Sequence, residues 1–301
     1  MNDSFSLKIT ESLNPRSKDI DTKSISEILE IFLQEDQQIL PALKKEFPVI
    51  QQVIEQVVQT FRQGGRLFYV GAGTSGRLGN LDAVECPPTF GTSPQMVQSV
   101  LAGGDSALKS AIEGAEDNIQ EGERQAQLNV TSQDIVIGIA ASGTTPFVLS
   151  FLETSAQKKA KTVLLTFNRI TPPAYVQYCI APQVGPEVIA GSTRLKAGTA
   201  TKMILNWISS ISMICVGKVY SHFMVDVHPS CDKLRNRTVR IFINLTGLSA
   251  TESEKWLKNA EGRIKPAMVM YQKKCSLEQA KSLLQKHQDH LRQALNDIEV
   301  S

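Results

Sequence analysis

The sequence predicts an α/β protein: a doubly wound, parallel five-stranded sheet preceded by N-terminal helices and followed by a small helical domain. Three observations predict it. Between residues 67 and 182, short apolar, β-branched and aromatic runs alternate with helical patterns, which implies parallel strands with helices on both faces. Glycine- and hydroxyl-rich turns follow the first, third and fifth of those runs, at the strand ends where such sheets take their ligands. Past Gly247 the texture changes to short amphipathic segments, two of them opened by Ser249-Ala-Thr-Glu252 and Ser276-Leu-Glu-Gln279, which fit capping boxes.

In chain order, residues 1 to about 23 read as extended, with Pro15 in a polar run. Ile25, Ile28, Leu29 and Phe32 predict a helix from Ser24, and Leu43, Phe47, Ile50, Val53, Ile54, Val57 and Val58 predict a longer one from Pro41 to Arg62. Both are expected to pack on the sheet or on a partner subunit. Strands follow at 67–70, 96–102, 135–140, 162–167 and 178–182, with helices from about 75, over 106–121 and over 146–158. Cys86-Pro87-Pro88 is expected to end the first of these helices abruptly. Met203 to Gly217 reads as a buried helix, and the tail to Asn296 as three or four short helices. The expected division is 1–62, 63–246 and 247–301, the last too small to stand alone and docked on the main body.

Composition narrows the function classes. A chain of 301 residues, 42% hydrophobic and 21% charged, builds a large core and stays ordered and soluble. A net charge of +2 gives no electrostatic case for nucleic acid or for a membrane surface. The N-terminus lacks the basic-then-apolar order of a signal peptide, and the 203–217 stretch is short and broken by Asn206, Ser209, Ser210 and Ser212, so no bilayer span is expected. Cys86, Cys179, Cys215, Cys231 and Cys275 are scattered without C-x-x-C spacing, which argues against a disulfide framework and against a metal site. A cytoplasmic location follows as the expectation.

The chemistry concentrates in residues 66–90, RLFYVGAGTSGRLGNLDAVECPPTF. Gly71, Gly73 and Gly76 form a G-x-G-x-x-G turn between strand and helix, which fits a dinucleotide fingerprint, a phosphate cradle or simply a close turn. Thr74 and Ser75 add hydroxyl donors suited to a terminal phosphate, and no acidic residue closes the next strand as ribose recognition requires. A second such turn, Ala141-Ser-Gly-Thr-Thr-Pro146, contains Ser142, Thr144 and Thr145, and a third, Gly185 to Thr199, contains Ser192, Thr193, Arg194 and Lys196. Each alone is most simply a tight turn of small residues; together they point to a phosphate site, and a sugar monophosphate fits better than a dinucleotide. Two carboxylate positions could divide acid and base work: Glu85 before the prolines, and Glu113 with Glu116 at i and i+3 on one expected helix face. Each by itself reads as an ordinary solvated acid. The four histidines, His222, His228, His287 and His290, lie far from the glycine turns, Cys86 has no histidine beside it, and no Walker lysine follows the first turn, which disfavours ATP-dependent transfer.

The segments VGAGTSGRLGNLDAVECPPTFG, AGGDSALKSAIEGAEDN, GIAASGTTP, GPEVIAGSTRLKAGTATK and TESLNPRSKDID together resemble the N-acetylmuramic acid 6-phosphate etherases, members of the sugar isomerase (SIS) fold superfamily. The resemblance runs from about residue 10 into the C-terminal helices. It implies an SIS sugar-phosphate domain with a small UBA-like helical domain, homodimerisation with the site near the interface, and no cofactor or metal. It implies cleavage of the lactyl ether at C3 of N-acetylmuramic acid 6-phosphate to N-acetylglucosamine 6-phosphate and D-lactate, with Glu85 as acid and Glu116 as base. Gly73, Thr74, Ser75, Ser142, Thr144, Thr145, Ser192 and Thr193 are then expected to hold phosphate and sugar. Thr144 stands where the family pattern has arginine, so Arg194 or Lys196 is expected to supply the missing charge; Gln288 and Asp289 stand where it has two glycines. Glucokinase regulatory proteins share part of the pattern but lack the ECPPT glutamate, which favours an enzyme. A sugar-phosphate-binding regulator and an aldose–ketose isomerase on the same fold are the alternatives.

Overall fold

The computed structural model describes residues 8–227 and 232–297, so residues 1–7 of the polar N-terminus, His228 and Cys231 lie outside the described residues. Five strands form one parallel sheet: β1 (Leu67–Gly71), β2 (Val97–Leu101), β3 (Ile135–Ile139), β4 (Lys161–Leu165) and β5 (Tyr178–Ile180), in the order β2-β1-β3-β4-β5. β1 pairs β2 from Leu67↔Val97 to Gly71↔Leu101 and β3 from Leu67↔Ile135 to Gly71↔Ile139. The side chains of β1 and β3 are buried throughout because helices cover both faces, and their residues therefore read as continuous apolar runs rather than alternating ones.

The helices are α1 (Ile25–Asp36), α2 (Ile39–Lys45), α3 (Phe47–Arg62), α4 (Gly73–Phe90), α5 (Ser106–Lys109), α6 (Ile119–Asn129), α7 (Pro146–Gln157) and α8 (Lys196–Cys215). Ser24 caps α1 in a full capping box with Glu27, and α3 buries Ile50, Val53, Ile54, Val57 and Val58, the face its spacing predicts. One core lies between the sheet and α6 and α7, where Phe68, Val136 and Leu164 meet Phe147, Phe151 and Leu152.

Beyond α8 a short antiparallel pair, β6 (Val219–Tyr220) and β7 (Phe223–Met224), precedes α9 (Asp232–Thr246) and four short helices, α10 (Ala250–Asn259), α11 (Ile264–Lys273), α12 (Leu277–Lys286) and α13 (Leu291–Asn296). Ser249 and Ser276 form capping boxes with Glu252 and Gln279, as their sequence spacing predicts. The chain clusters into two compact units, residues 1–83 with 95–209, and residues 84–94 with 210–301. The second has its own core, built on Phe242, Leu257, Met268, Leu284 and Leu291.

Several local expectations are corrected. The helix expected over 106–121 is α5, a 3-10 turn at Ala115–Asp117 and α6, because Gly114 takes a left-handed φ of 71° and Asn118 caps a new helix by accepting the Glu121 amide at 2.9 Å. Glu113 and Glu116 therefore do not share a helix face. The helix expected over 41–62 is split at Glu46, with Pro48 in the first turn of α3. Pro87 and Pro88 do not end α4; it runs on to Phe90 and stops at Gly91, whose φ is 61° and whose amide donates to the Pro87 carbonyl at 2.9 Å. The described part of the N-terminal segment is not extended but makes 3-10 turns at Ile9–Glu11, Pro15–Ser17 and Ile20–Thr22.

Candidate active site

The sheet order reverses between β1 and β3, so the loops after these two strands flank the switch point at which open parallel sheets take their ligands. The first loop is shaped by its three glycines in three ways. Gly73 has φ 52°, where a side chain is strained; a Cβ on Gly71 would stand 2.6 Å from the Gly76 nitrogen, and one on Gly76 would stand 2.6 Å from the Gly71 oxygen. The strand end and the first turn of α4 thus touch backbone to backbone, which leaves Thr74 and Ser75 half-buried at the helix start.

Beside this loop lies a cavity of about 330 Å³, within the size range of small-molecule sites, lined by Ala72 and Gly73 of the loop and by Arg77, Glu113, Gly114 and Glu116. Arg77 braces the wall, its guanidinium donating to the carbonyls of Ala107 at 2.9 Å and Ser110 at 3.1 Å. Glu113 and Glu116 are exposed, and both reach the cavity through the turn that Gly114 creates rather than through a helix face. Glu85 is exposed on α4, belongs to the second compact unit and is not among the residues lining this cavity.

The second loop turns at Gly143, φ 75°, and is held by hydroxyls. The Thr144 amide and hydroxyl both donate to Ser142 Oγ at 3.2 Å, and Thr144 Oγ1 accepts from the Lys8 ammonium at 2.7 Å. Thr145 is the N-cap of α7 yet makes no capping bond with its side chain. Behind the loop, the Ala141 carbonyl accepts from Thr166 Oγ1 and from Asn168 Nδ2, each at 3.2 Å, and Asn168 also grips Thr10 through its amide at 3.2 Å and its hydroxyl at 2.9 Å. Asn168 is the residue the sequence reading missed here; an asparagine after a strand carried no motif, and its side-chain partners, Thr10 and Ala141, come from two distant segments.

The third loop is closed by another unanticipated residue. Glu187, 1% exposed, accepts the backbone amides of Lys196 at 2.9 Å and Ala197 at 3.0 Å at the start of α8. Burial pushes its carboxyl above the usual range, against the opposing pull of those two amides. Lys196 is also buried, its ammonium paired with Glu35 of α1, which Arg16 approaches at 2.6 Å. Burial alone would raise Glu35, but the hydrogen bonds from Lys196, Arg16 and Asn14 together hold it below the usual carboxylate range. Arg194 is exposed, and Ser192 and Thr193 are half-buried. Thr74 meets the third loop near Gly198, where a Cβ would stand 3.8 Å from Thr74 Cγ2 and 3.5 Å from the Thr193 carbonyl. The first loop is therefore shared, with Glu116 on one side and the start of α8 on the other, while Lys8 and Thr10 lie across the second.

Among the described residues no cluster of His, Cys, Asp or Glu is placed to hold a metal ion, and no helix is long and apolar enough to cross a membrane.

The sequence and the fold both have counterparts among known proteins. Residues 49–156 match the glucokinase regulatory protein N-terminal SIS domain. The chain is similar to a Geobacillus thermodenitrificans protein named N-acetylmuramic acid 6-phosphate etherase, 48% identical over 288 residues that cover 95% of this chain and 98% of that one. A Vibrio vulnificus protein of the same name is 46% identical, covering 96% of this chain and 97% of its own. Among solved structures, a phosphoheptose isomerase from Francisella tularensis superposes with a TM-score of 0.50 at 20% identity, over 64% of this chain and all of that one, which shows the shared fold.

Proposed function

The chain belongs to the N-acetylmuramic acid 6-phosphate etherase family and is a carbon–oxygen lyase of that specificity, and we propose that Glu116 and Glu85 are its proton-transfer groups. The observation that carries this reading is the cavity lined by both Glu116 and Gly73 of the first loop, at the carboxyl end of β1.

The reaction has a clear demand on such a site. Ring opening exposes a C1 aldehyde, which acidifies the C2 hydrogen. Glu116 takes that proton, the C3–O bond breaks, and Glu85 protonates the departing lactate oxygen. Water then adds at C3 of the unsaturated aldehyde, Glu85 accepting its proton, and a proton returns to C2, so that ether and water become N-acetylglucosamine 6-phosphate and D-lactate. Each positioned proton transfer contributes roughly 100-fold or more to the rate. The hydroxyls of Thr74, Ser75, Ser142, Thr144, Thr145, Ser192 and Thr193, with Arg194 nearby, hold the sugar phosphate. Lys196 acts through Glu35 by fixing the start of α8.

The protein is proposed to work as a homodimer. Ile25, Leu29 and Leu33 recur at i, i+4 and i+8 on α1 and are 78%, 65% and 55% exposed, an apolar stripe that a second copy would cover. Such a dimer would allow Glu85 to act in a pocket completed by both subunits. The free thiols of Cys179 and Cys275 suit a reducing cytoplasm.

The test is D-lactate release from N-acetylmuramic acid 6-phosphate in D2O. Wild-type protein should release lactate and leave deuterium at C2 of the product; Glu116→Gln should lose both. Glu85→Gln should lose lactate release while still exchanging C2 hydrogen. Ketose formation by the wild type would indicate an isomerase, and binding without turnover a regulator.

A further inference from the structure

Resting on the etherase reading, we propose that Lys8 is a substrate-binding residue, its ammonium holding the 6-phosphate together with the hydroxyls of Ser142 and Thr144. Apart from Arg194, which stands exposed on the third loop, the cations described around the three loops are committed to the protein itself. Lys196 and Arg16 pair with Glu35, and Arg77 donates to two backbone carbonyls. Lys8 differs: among the described residues it pairs with no carboxylate, and it reaches a hydroxyl that belongs to the second loop.

The hydrogen-bond sense of that contact matters. Thr144 Oγ1 accepts from Lys8 at 2.7 Å and donates to Ser142 Oγ at 3.2 Å, which also accepts the Thr144 amide at 3.2 Å. Ser142 therefore keeps its own proton for a ligand, and the ammonium keeps two of its three N–H groups. A charge-bearing donor beside free hydroxyl donors matches a phosphate, which carries nearly two negative charges at neutral pH and many acceptor lone pairs.

Lys8 is also placed rather than loosely tethered. Two residues on, Thr10 is 3% exposed and is held at both its amide and its hydroxyl by Asn168, itself 2% exposed. The same Asn168 donates to the Ala141 carbonyl at the root of the second loop, so one buried side chain fixes both the segment that delivers the cation and the loop that receives it. Further along, Asn14 Nδ2 donates to the Pro186 carbonyl of the third loop at 3.1 Å, which fastens the segment at its other end. The N-terminal segment is thus part of the site wall.

The experiment is steady-state D-lactate release with Lys8→Met, Lys8→Arg and the double variant Lys8→Met/Thr144→Arg, each also titrated with N-acetylglucosamine 6-phosphate, which keeps the phosphate but lacks the lactyl carboxylate. Lys8→Met should raise KM roughly 10- to 100-fold with kcat nearly unchanged, the pattern of lost uniform binding. Binding of N-acetylglucosamine 6-phosphate should weaken in parallel, and Lys8→Arg or a guanidinium supplied from position 144 should restore most of both. An unchanged KM in Lys8→Met overturns the assignment. So does a raised KM with undiminished binding of N-acetylglucosamine 6-phosphate, which would place the lysine on the carboxylate. If the wild type released no lactate, the etherase reading would have failed, and the titration alone would still decide whether Lys8 binds phosphate.

Discussion

The two ends of the five-stranded sheet treat polar groups in opposite ways. At the amino end, Asp134 is 1% exposed and fully engaged: Arg66 clamps it through Nε at 3.0 Å and Nη2 at 2.7 Å, and the Arg66 amide, the Thr131 amide and the Thr131 hydroxyl supply three more bonds. At the carboxyl end, Ser142 keeps its proton, Thr145 caps nothing with its side chain, Lys8 has no carboxylate partner among the described residues and Glu116 faces a cavity. One end spends its polar groups on holding the chain; the other sets, beside braces such as Asn168 and Glu187, a group of polar side chains left available. The difference separates residues whose loss should unfold the protein from residues whose loss should silence it.

The largest expected effect breaks the saturated end. Asp134→Asn leaves Arg66 half-buried without its carboxylate and should destabilise the fold by about 3–5 kcal/mol, the usual cost of removing one partner of a buried pair. Measured by denaturant unfolding, that loss should come with kcat/KM unaltered below the melting transition. A lowered kcat/KM in the folded variant would mean that the two ends are coupled.

At the other end, Gly76→Ala should reverse the balance. Its new methyl would lie 2.6 Å from the Gly71 carbonyl oxygen, a backbone atom that can yield only by moving the first loop. Overpacking of this kind costs about 1–3 kcal/mol, and here the shift falls on Gly73 and Thr74, so D-lactate release should drop by more than the stability loss explains. Full activity in a folded Gly76→Ala protein would separate the close packing from the site.

Acid sharpens the same contrast. Asp134 and Glu35 are both held below their ordinary values of 3.8 and 4.5; burial pushes each upward, and hydrogen bonds, from Arg66 and Thr131 in one case and from Lys196, Arg16 and Asn14 in the other, outweigh it. Between the folded and ordinary values the unfolded chain binds more protons, so their stabilisation is complete above about pH 4–5 and is lost as pH falls through the lowered values. Unfolding free energies from pH 6 to 3 should fall more shallowly for Asp134→Asn than for the wild type. Identical slopes would show that the clamp does not depress Asp134.

How much of this was legible in the sequence follows the range of the interactions. The strands were legible because burial on both faces leaves an apolar run, and the glycine loops because close backbone contact demands glycine at Gly71 and Gly76. The segment 106–121 was misread because Gly114 and Asn118 break a pattern whose apolar spacing alone fits a helix. The pairs Lys196 with Glu35 and Lys8 with Thr144 join residues 161 and 136 positions apart, and no local spacing announces them. Glu116 was legible as a candidate, but its route to the cavity, through a turn, was not.

The smallest effect tests whether a left-handed backbone in the helical unit marks function. Gln288 and Asp289, which stand where the family pattern has glycines, keep the left-handed conformation glycine would take, with φ of 52° and 61°, and the Asp289 amide closes the end of α12 on the Leu284 carbonyl at 2.8 Å. An L side chain in that region costs about 1–2 kcal/mol, and glycine returns part of the relief as unfolded-state entropy. Gln288 is exposed, so Gln288→Gly removes little packing and should raise stability by roughly 0.5–1 kcal/mol, a small upward shift in melting temperature, with kcat and KM unchanged. A gain in stability accompanied by lost activity would make this turn, against its position in the helical unit, part of the working machinery.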